Sequence, residues 1–177
     1  MNTEKSVFQQ SAENGISFGL YLSAIFFTIV YAEKLPVLSL IGLILILAIP
    51  VILYRYIRKF HISHIETSNF SLLWTLGTLT FLCGSLICSV ATFIWLEYVL
   101  PDFIFEQAKN TLALYEQSPD LKNIELVQLL RSAIENGTLP SPIEIVMQML
   151  WSSFTLGVML SLVLAPLVKL KMPKRNK

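Results

Sequence analysis

The sequence predicts an all-α integral membrane protein: a bundle of four transmembrane helices with a two-helix extracytoplasmic insertion between the third and fourth. Three observations predict this. Four runs, 16–32, 37–54, 70–96 and 145–168, contain no Asp, Glu, Lys, Arg or His. Each is close to or beyond the roughly 20 apolar residues that carry a helix across a ~30 Å hydrocarbon layer. Apolar residues make up 54% of the 177-residue chain and charged residues only 14%, against roughly 25% charged in a soluble domain. Finally, the charges sit in blocks between the runs, where a soluble fold would spread them along its elements to keep its surface wet.

Taken in order, the first span ends in Val30-Tyr31-Ala32, which resembles a small-residue cleavage site. The segment before it sets Lys5 against Glu4 and Glu13, so it lacks the positive lead of a signal peptide and the span is expected to be retained. Glu33-Lys34-Leu35-Pro36 joins it to the second span as a tight antiparallel hairpin. Val37–Leu53 holds thirteen Leu, Ile or Val residues, each contributing about −0.3 to −0.6 kcal/mol to insertion near a helix centre. A basic loop, 55–69, follows. In the third span Trp74 and Trp95 lie 21 residues apart, about 31 Å along a helix, which places one ring at each membrane interface. Cys83 and Cys88 fall on different faces of that span and read as small packing residues. Pro50 and Pro166 lie near span ends, where a lost backbone bond is easiest to compensate.

Charge gives the spans a direction. The N-terminus, the 55–69 loop and the 169–177 tail carry nine cations against three acids, a balance of +6. The remaining segments carry Lys34, Lys109, Lys122 and Arg131 against nine acids, a balance of −5. Short Lys/Arg-rich segments stay in the cytoplasm, so both termini are expected there. The segment 97–144 is expected outside, in the periplasm of a Gram-negative cell.

Close helix packing in lipid relies on small residues repeating every four positions. The fourth span has Ser153, Gly157, Ser161 and Ala165, the third Thr80, Gly84, Cys88 and Thr92, and the first Gly15, Gly19 and Ser23. The second has only Gly42 and Ala48 small within it. Spans one, three and four are therefore expected to pack together while the second faces lipid more. The same ridges could instead meet a second copy, and Thr75, Thr78, Ser85 and Ser89 could line a pore.

Within 97–144, Pro101-Asp102 stops the third span and opens a helix with Asp102 at its N-cap. Phe105, Ala108, Leu112 and Tyr115 share one face of that helix. Ser118-Pro119 repeats the start signal. Leu126, Val127, Leu129, Leu130, Ala133 and Ile134 then span an arc of roughly 160°, and Asn136-Gly137 ends the helix. Three cations against more acids do not suit an anionic lipid surface, so the two helices are expected to pair with each other or with the bundle. A partner-binding role is the sharper alternative.

His61 and His64, spaced to share one side of a helix with Glu66 nearby, are the candidate chemistry-bearing residues. Two histidines and one acid can hold zinc, yet Arg58 and Lys59 beside them would repel a dication. The simpler reading is a basic segment touching anionic headgroups. No catalytic residue, metal, cofactor or nucleic-acid partner is expected.

The order of a tight first hairpin, a basic loop and an acidic helical insertion before the last span resembles a known pattern. With Tyr98-Val99-Leu100-Pro101-Asp102-Phe103 and Gly157, Ser161 and Ala165, the chain is similar to a bacterial family of four-span proteins named only as a domain of unknown function, DUF4199. The resemblance implies a bacterial inner membrane and supplies no active site. The expectation is a non-enzymatic structural or accessory component of a cell-envelope assembly. It would meet lipid along its spans, and a second copy or a membrane-protein partner through 97–144. The alternatives are a small transport or channel protein whose path forms on oligomerisation and, more remotely, a membrane enzyme using His61 and His64.

Overall fold

The computed structural model describes residues 6–33, 35–64, 68–117 and 125–170. Among the described residues 90% are helical and no strand occurs. The elements are α1 (Val7–Val30), a 3-10 turn (Tyr31–Glu33), α2 (Pro36–Ser63), α3 (Phe70–Ile94) continued by a π turn (Trp95–Val99), α4 (Phe103–Glu116), α5 (Glu125–Glu135) and α6 (Pro142–Leu170). The first, second, third with its π turn, and sixth are long and apolar enough to cross a membrane. The expected all-α membrane architecture is therefore present. Two compact units make up the chain, one of Met1–Val90 with Met149–Lys177 and the other of Ala91–Gln148.

The helices outrun the uncharged runs. α1 starts at Val7, before Ile16, because Ser6 caps it: its hydroxyl accepts from the Gln9 amide at 3.3 Å. Two polar side chains of its first turns find partners. Ser11 donates to the Leu76 carbonyl at 3.3 Å and the Gln10 amide to Asn14 Oδ1 at 3.1 Å. α2 continues to Ser63, which corrects the expected loop at 55–69. Arg55, Arg58 and Lys59 stand on its last turns, since Arg and Lys are good helix formers and no Gly or Pro follows Pro50 within the helix.

In the first unit the expected ridges meet. A Cβ placed on Gly15 would lie 2.4 Å from Cys83 Cβ, and one on Gly84 would lie 2.7 Å from Phe18 and 3.3 Å from the Gly19 nitrogen. α1 thus crosses α3 at two glycine contacts, as small-xxx-small packing allows. On another side of α3, Gly157 and Ser161 of α6 approach Phe81 and Gly77. Phe18 and Phe81 stack edge-on at 4.9 Å between centroids and, with Leu53, Ile57, Leu73 and Leu76, fill the buried centre. α2 is the least buried of the four long helices and α3 the most. Even so, α2 gives Leu53, Ile57 and Phe60 to the core, so it is lipid-facing mainly over its first half.

The second unit holds the end of α3, the π turn, α4, α5 and the start of α6. The amide of Leu100 bonds the Trp95 carbonyl at 3.1 Å, and the chain turns at Pro101-Asp102. Asp102 takes the N-cap position of α4 as expected, but its side chain makes no capping bond. The Ser118-Pro119 start signal lies outside the described residues. α5 ends as expected at Asn136-Gly137. Gly137 has φ +64°, the Thr138 amide bonds the Ala133 carbonyl at 2.9 Å, and the Gly137 amide bonds that of Ile134 at 3.4 Å. This is the paired bonding of a left-handed glycine cap.

Candidate functional site

Three places carry residues with functional potential: the histidine-bearing end of α2, the hydroxyls of α3, and the surface of α4 and α5. The two histidines do not converge. His61 is buried, 8% exposed, and its Nδ1 bonds the Ser68 hydroxyl, so it fastens the end of α2 to the start of α3. The ring of His64 lies stacked on Phe60 at 4.4 Å, with Nδ1 3.3 Å from the Phe60 carbonyl. One ring points into the protein and the other lies along its own helix. Glu66, the third expected ligand, is outside the described residues. Among the described residues no group of three His, Cys, Asp or Glu side chains gathers. Lys169 of α6 lies within electrostatic reach of His61, which adds positive charge where a metal ion would need the reverse.

The hydroxyls of α3 from Thr75 onward are buried or half-buried. Ser85 donates to the Leu82 carbonyl at 2.9 Å, the backbone bonding usual for serine in a membrane helix. Thr78, Thr80 and Ser89 have buried hydroxyls without a partner among the described residues. Thr80, Ser85 and Ser89 are nearly inaccessible within one chain. Beside Ser85 and Cys88 lies a cavity of about 280 Å³, lined chiefly by Leu22, Ile25, Ile29 and Ile49. Its walls are apolar, which suits hydrocarbon and not an ion path. Cys83 and Cys88 are both free thiols on separate faces, as expected.

The second unit presents the most exposed apolar surface outside the spans' apolar runs. α4 and α5 pack on each other, and Arg131 of α5 pairs with Glu116 of α4. Lys109 covers the Phe105 ring at 4.2 Å. The apolar arc of α5 is split. Val127 is buried and Leu130, Ala133 and Ile134 are half-buried, whereas Leu126 and Leu129 on the other flank are 60% and 59% exposed. Leu114 of α4 is also exposed, at 67%. The tryptophans of the third span make protein contacts. Trp95 is buried against Phe103, 5.1 Å between centroids, and Trp74 donates to the Val158 carbonyl at 3.4 Å. Both rings are taken up by protein contacts, while Trp151 of α6 is the outward-facing one.

Sequence reasoning missed two local devices. Glu144 supplies half of a capping box at the start of α6, its carboxylate accepting from the Ser141 amide at 2.8 Å and hydroxyl at 2.9 Å. The Ser-x-x-Glu spacing was the available signal. The bond of Tyr21 to the Leu45 carbonyl, which joins the first hairpin, had no such signal.

These features define an all-helical, multi-pass membrane protein with a helical segment between its third and fourth long helices. A family match described as protein of unknown function, DUF4199, covers residues 13–169, and the chain belongs to that family. No curated protein and no solved structure matches the chain.

Proposed function

We propose that this protein is a non-enzymatic accessory or structural component of a cell-envelope assembly, seated in a bacterial inner membrane with both termini cytoplasmic. The observation that carries this is the unfilled flank of α5. Leu126 and Leu129 stand more than half exposed on a helix whose opposite flank is already packed. Single exposed leucines are ordinary, but a row of them on a paired amphipathic helix outside the spans marks a surface that gains by being covered. The cation distribution supports placing that surface outside the cytoplasm: Arg55, Arg58, Lys59 and Lys169 cluster at the other ends of the long helices, as the positive-inside rule requires. The occupant is a second copy or another membrane protein, since the segment is too poor in cations for a lipid surface.

The transport alternative needs a polar path between copies. Ser85 and Ser89 are buried within one chain, which weighs against it. Photo-crosslinkers placed at Leu126 and Leu129 in native membranes test the proposal. Adducts to one defined protein are expected from both positions and not from Lys109, and adducts to lipid alone would contradict it.

A further inference from the structure

The open face of α5 sets an apolar line beside an acidic one. At about 100° per residue, Leu126, Leu129 and Ala133 fall within an arc of roughly 60° along the helix. Next to them come Glu125, Ser132, Gln128 and Glu135, all exposed. The opposite border, Leu130 and Ile134, is half-buried, so the face is open only on its acidic side. Among the described residues neither Glu125 nor Glu135 has an ion-pair partner. The one cation of α5, Arg131, is turned instead to Glu116 of α4.

Glu125 stands in the first turn of α5, where the helix dipole favours an acid. Glu135 closes the helix, where the dipole favours a cation, and the last turn holds none. At Glu135, then, α5 departs from the charge its own stability calls for. The surrounding unit, Ala91–Gln148, is acidic as well, with eight acids against three cations. A second copy docked here by two-fold symmetry would present the same patch to itself, acid line against acid line. Juxtaposed like charges select against such a partner, and anionic headgroups are disfavoured in the same way. The charge complement of this face is an apolar line bordered by cations.

We infer that the exposed face of α5 docks a basic amphipathic helix of another protein. Its apolar residues cover Leu126 and Leu129, and its Lys or Arg side chains lie beside Glu125 and Glu135. This rests on recognition through α5 and adds the chemistry of the partner: of the two occupants, a second copy and another protein, the charges select the second.

The test places a photo-crosslinker at Leu129 of the full chain in native membranes and sequences the adducted segment by tandem mass spectrometry. That segment is expected to belong to another protein and to carry Lys or Arg within one helical turn of its apolar contact residues. Adduct yield is expected to fall about tenfold in Glu125→Lys with Glu135→Lys, and to hold in Glu125→Asp with Glu135→Asp. The two Lys changes act oppositely on the helix dipole at exposed positions, so α5 is expected to keep its fold. Reversing the identified cations of the partner to Glu is expected to restore the yield with the Lys variant, which a misfolded α5 would not allow. An adducted segment from this chain, or one without cations, would overturn the inference and leave recognition through α5 standing. So would a yield undiminished by the Lys changes, or one that the partner's reversal fails to restore. Adducts to lipid alone would overturn both.

Discussion

Gly15 of α1 lies so close to Cys83 of α3 that a methyl group on the glycine would sit 2.4 Å from the cysteine Cβ. The obstructing atom is fixed to the α3 backbone, so the two helices must separate to admit any side chain. Gly15→Ala is expected to destabilise the protein by about 1–3 kcal/mol, the range for overfilled cores. Gly42→Ala, whose nearest neighbour is the Thr28 hydroxyl at 3.3 Å, is expected to change stability by less than about 1 kcal/mol. Thermal unfolding of the two variants in one detergent compares them directly.

Gly157 and Phe81 form a matched pair on the other side of α3. The ring occupies the space that a Gly157 side chain would take, at 2.4 Å from its Cγ. Phe81→Ala is expected to lose about 3–5 kcal/mol through the cavity it opens. Gly157→Leu alone is expected to be damaging, yet in the Phe81→Ala background it fills the vacated space. A double-mutant cycle on unfolding free energy is therefore expected to be strongly non-additive, and simple additivity would contradict the packing described.

Much of this packing was legible in the sequence, for a physical reason. Helices in lipid approach closely only where side chains are small, so Gly15, Gly19, Gly84 and Gly157 announced their contacts by their spacing alone. Helix ends were less legible. Arg58 and Lys59 read as loop because charge ends a hydrophobic run, but charge does not end a helix, and α2 continues to Ser63. The two histidines show the same limit. Their spacing indicated a shared face, but only the fold reveals that His61 is turned inward to Ser68 and His64 lies on Phe60. The uneven burial of α5 was also hidden, because its apolar arc reads as one surface until α4 and its surroundings cover half of it.

The His61–Ser68 bond closes the short connection between α2 and α3 within a buried setting. Ser68→Ala removes one partner and leaves a polar ring nitrogen unpaired, which is expected to cost about 1–3 kcal/mol. His64→Ala, losing a partly exposed stack on Phe60 and a 3.3 Å bond to that residue's carbonyl, is expected to cost less than about 1 kcal/mol. Equal effects of the two in a denaturation series would argue against the inward role of His61.

The two ends of the 136–141 connector are set by single residues. Gly137 at φ +64° becomes strained by about 1–2 kcal/mol when given a side chain. Ser141 donates its hydroxyl to Glu144 in the first turn of α6, and loss of that exposed bond is expected to cost up to about 1 kcal/mol. Faster amide exchange at Ala133–Thr138 in Gly137→Ala, and at the first turn of α6 in Ser141→Ala, is the expected readout.

Recognition through α5 is tested most directly by the size of the native assembly. Leu126→Glu with Leu129→Glu changes only the exposed flank and spares buried Val127, so the chain is expected to insert and fold normally. Native gel electrophoresis of gently solubilised membranes should show the natural protein in a complex larger than its 20.0 kDa chain and the double variant released from it. A complex of unchanged size in the double variant, or a natural protein that runs alone, would contradict recognition through this helix.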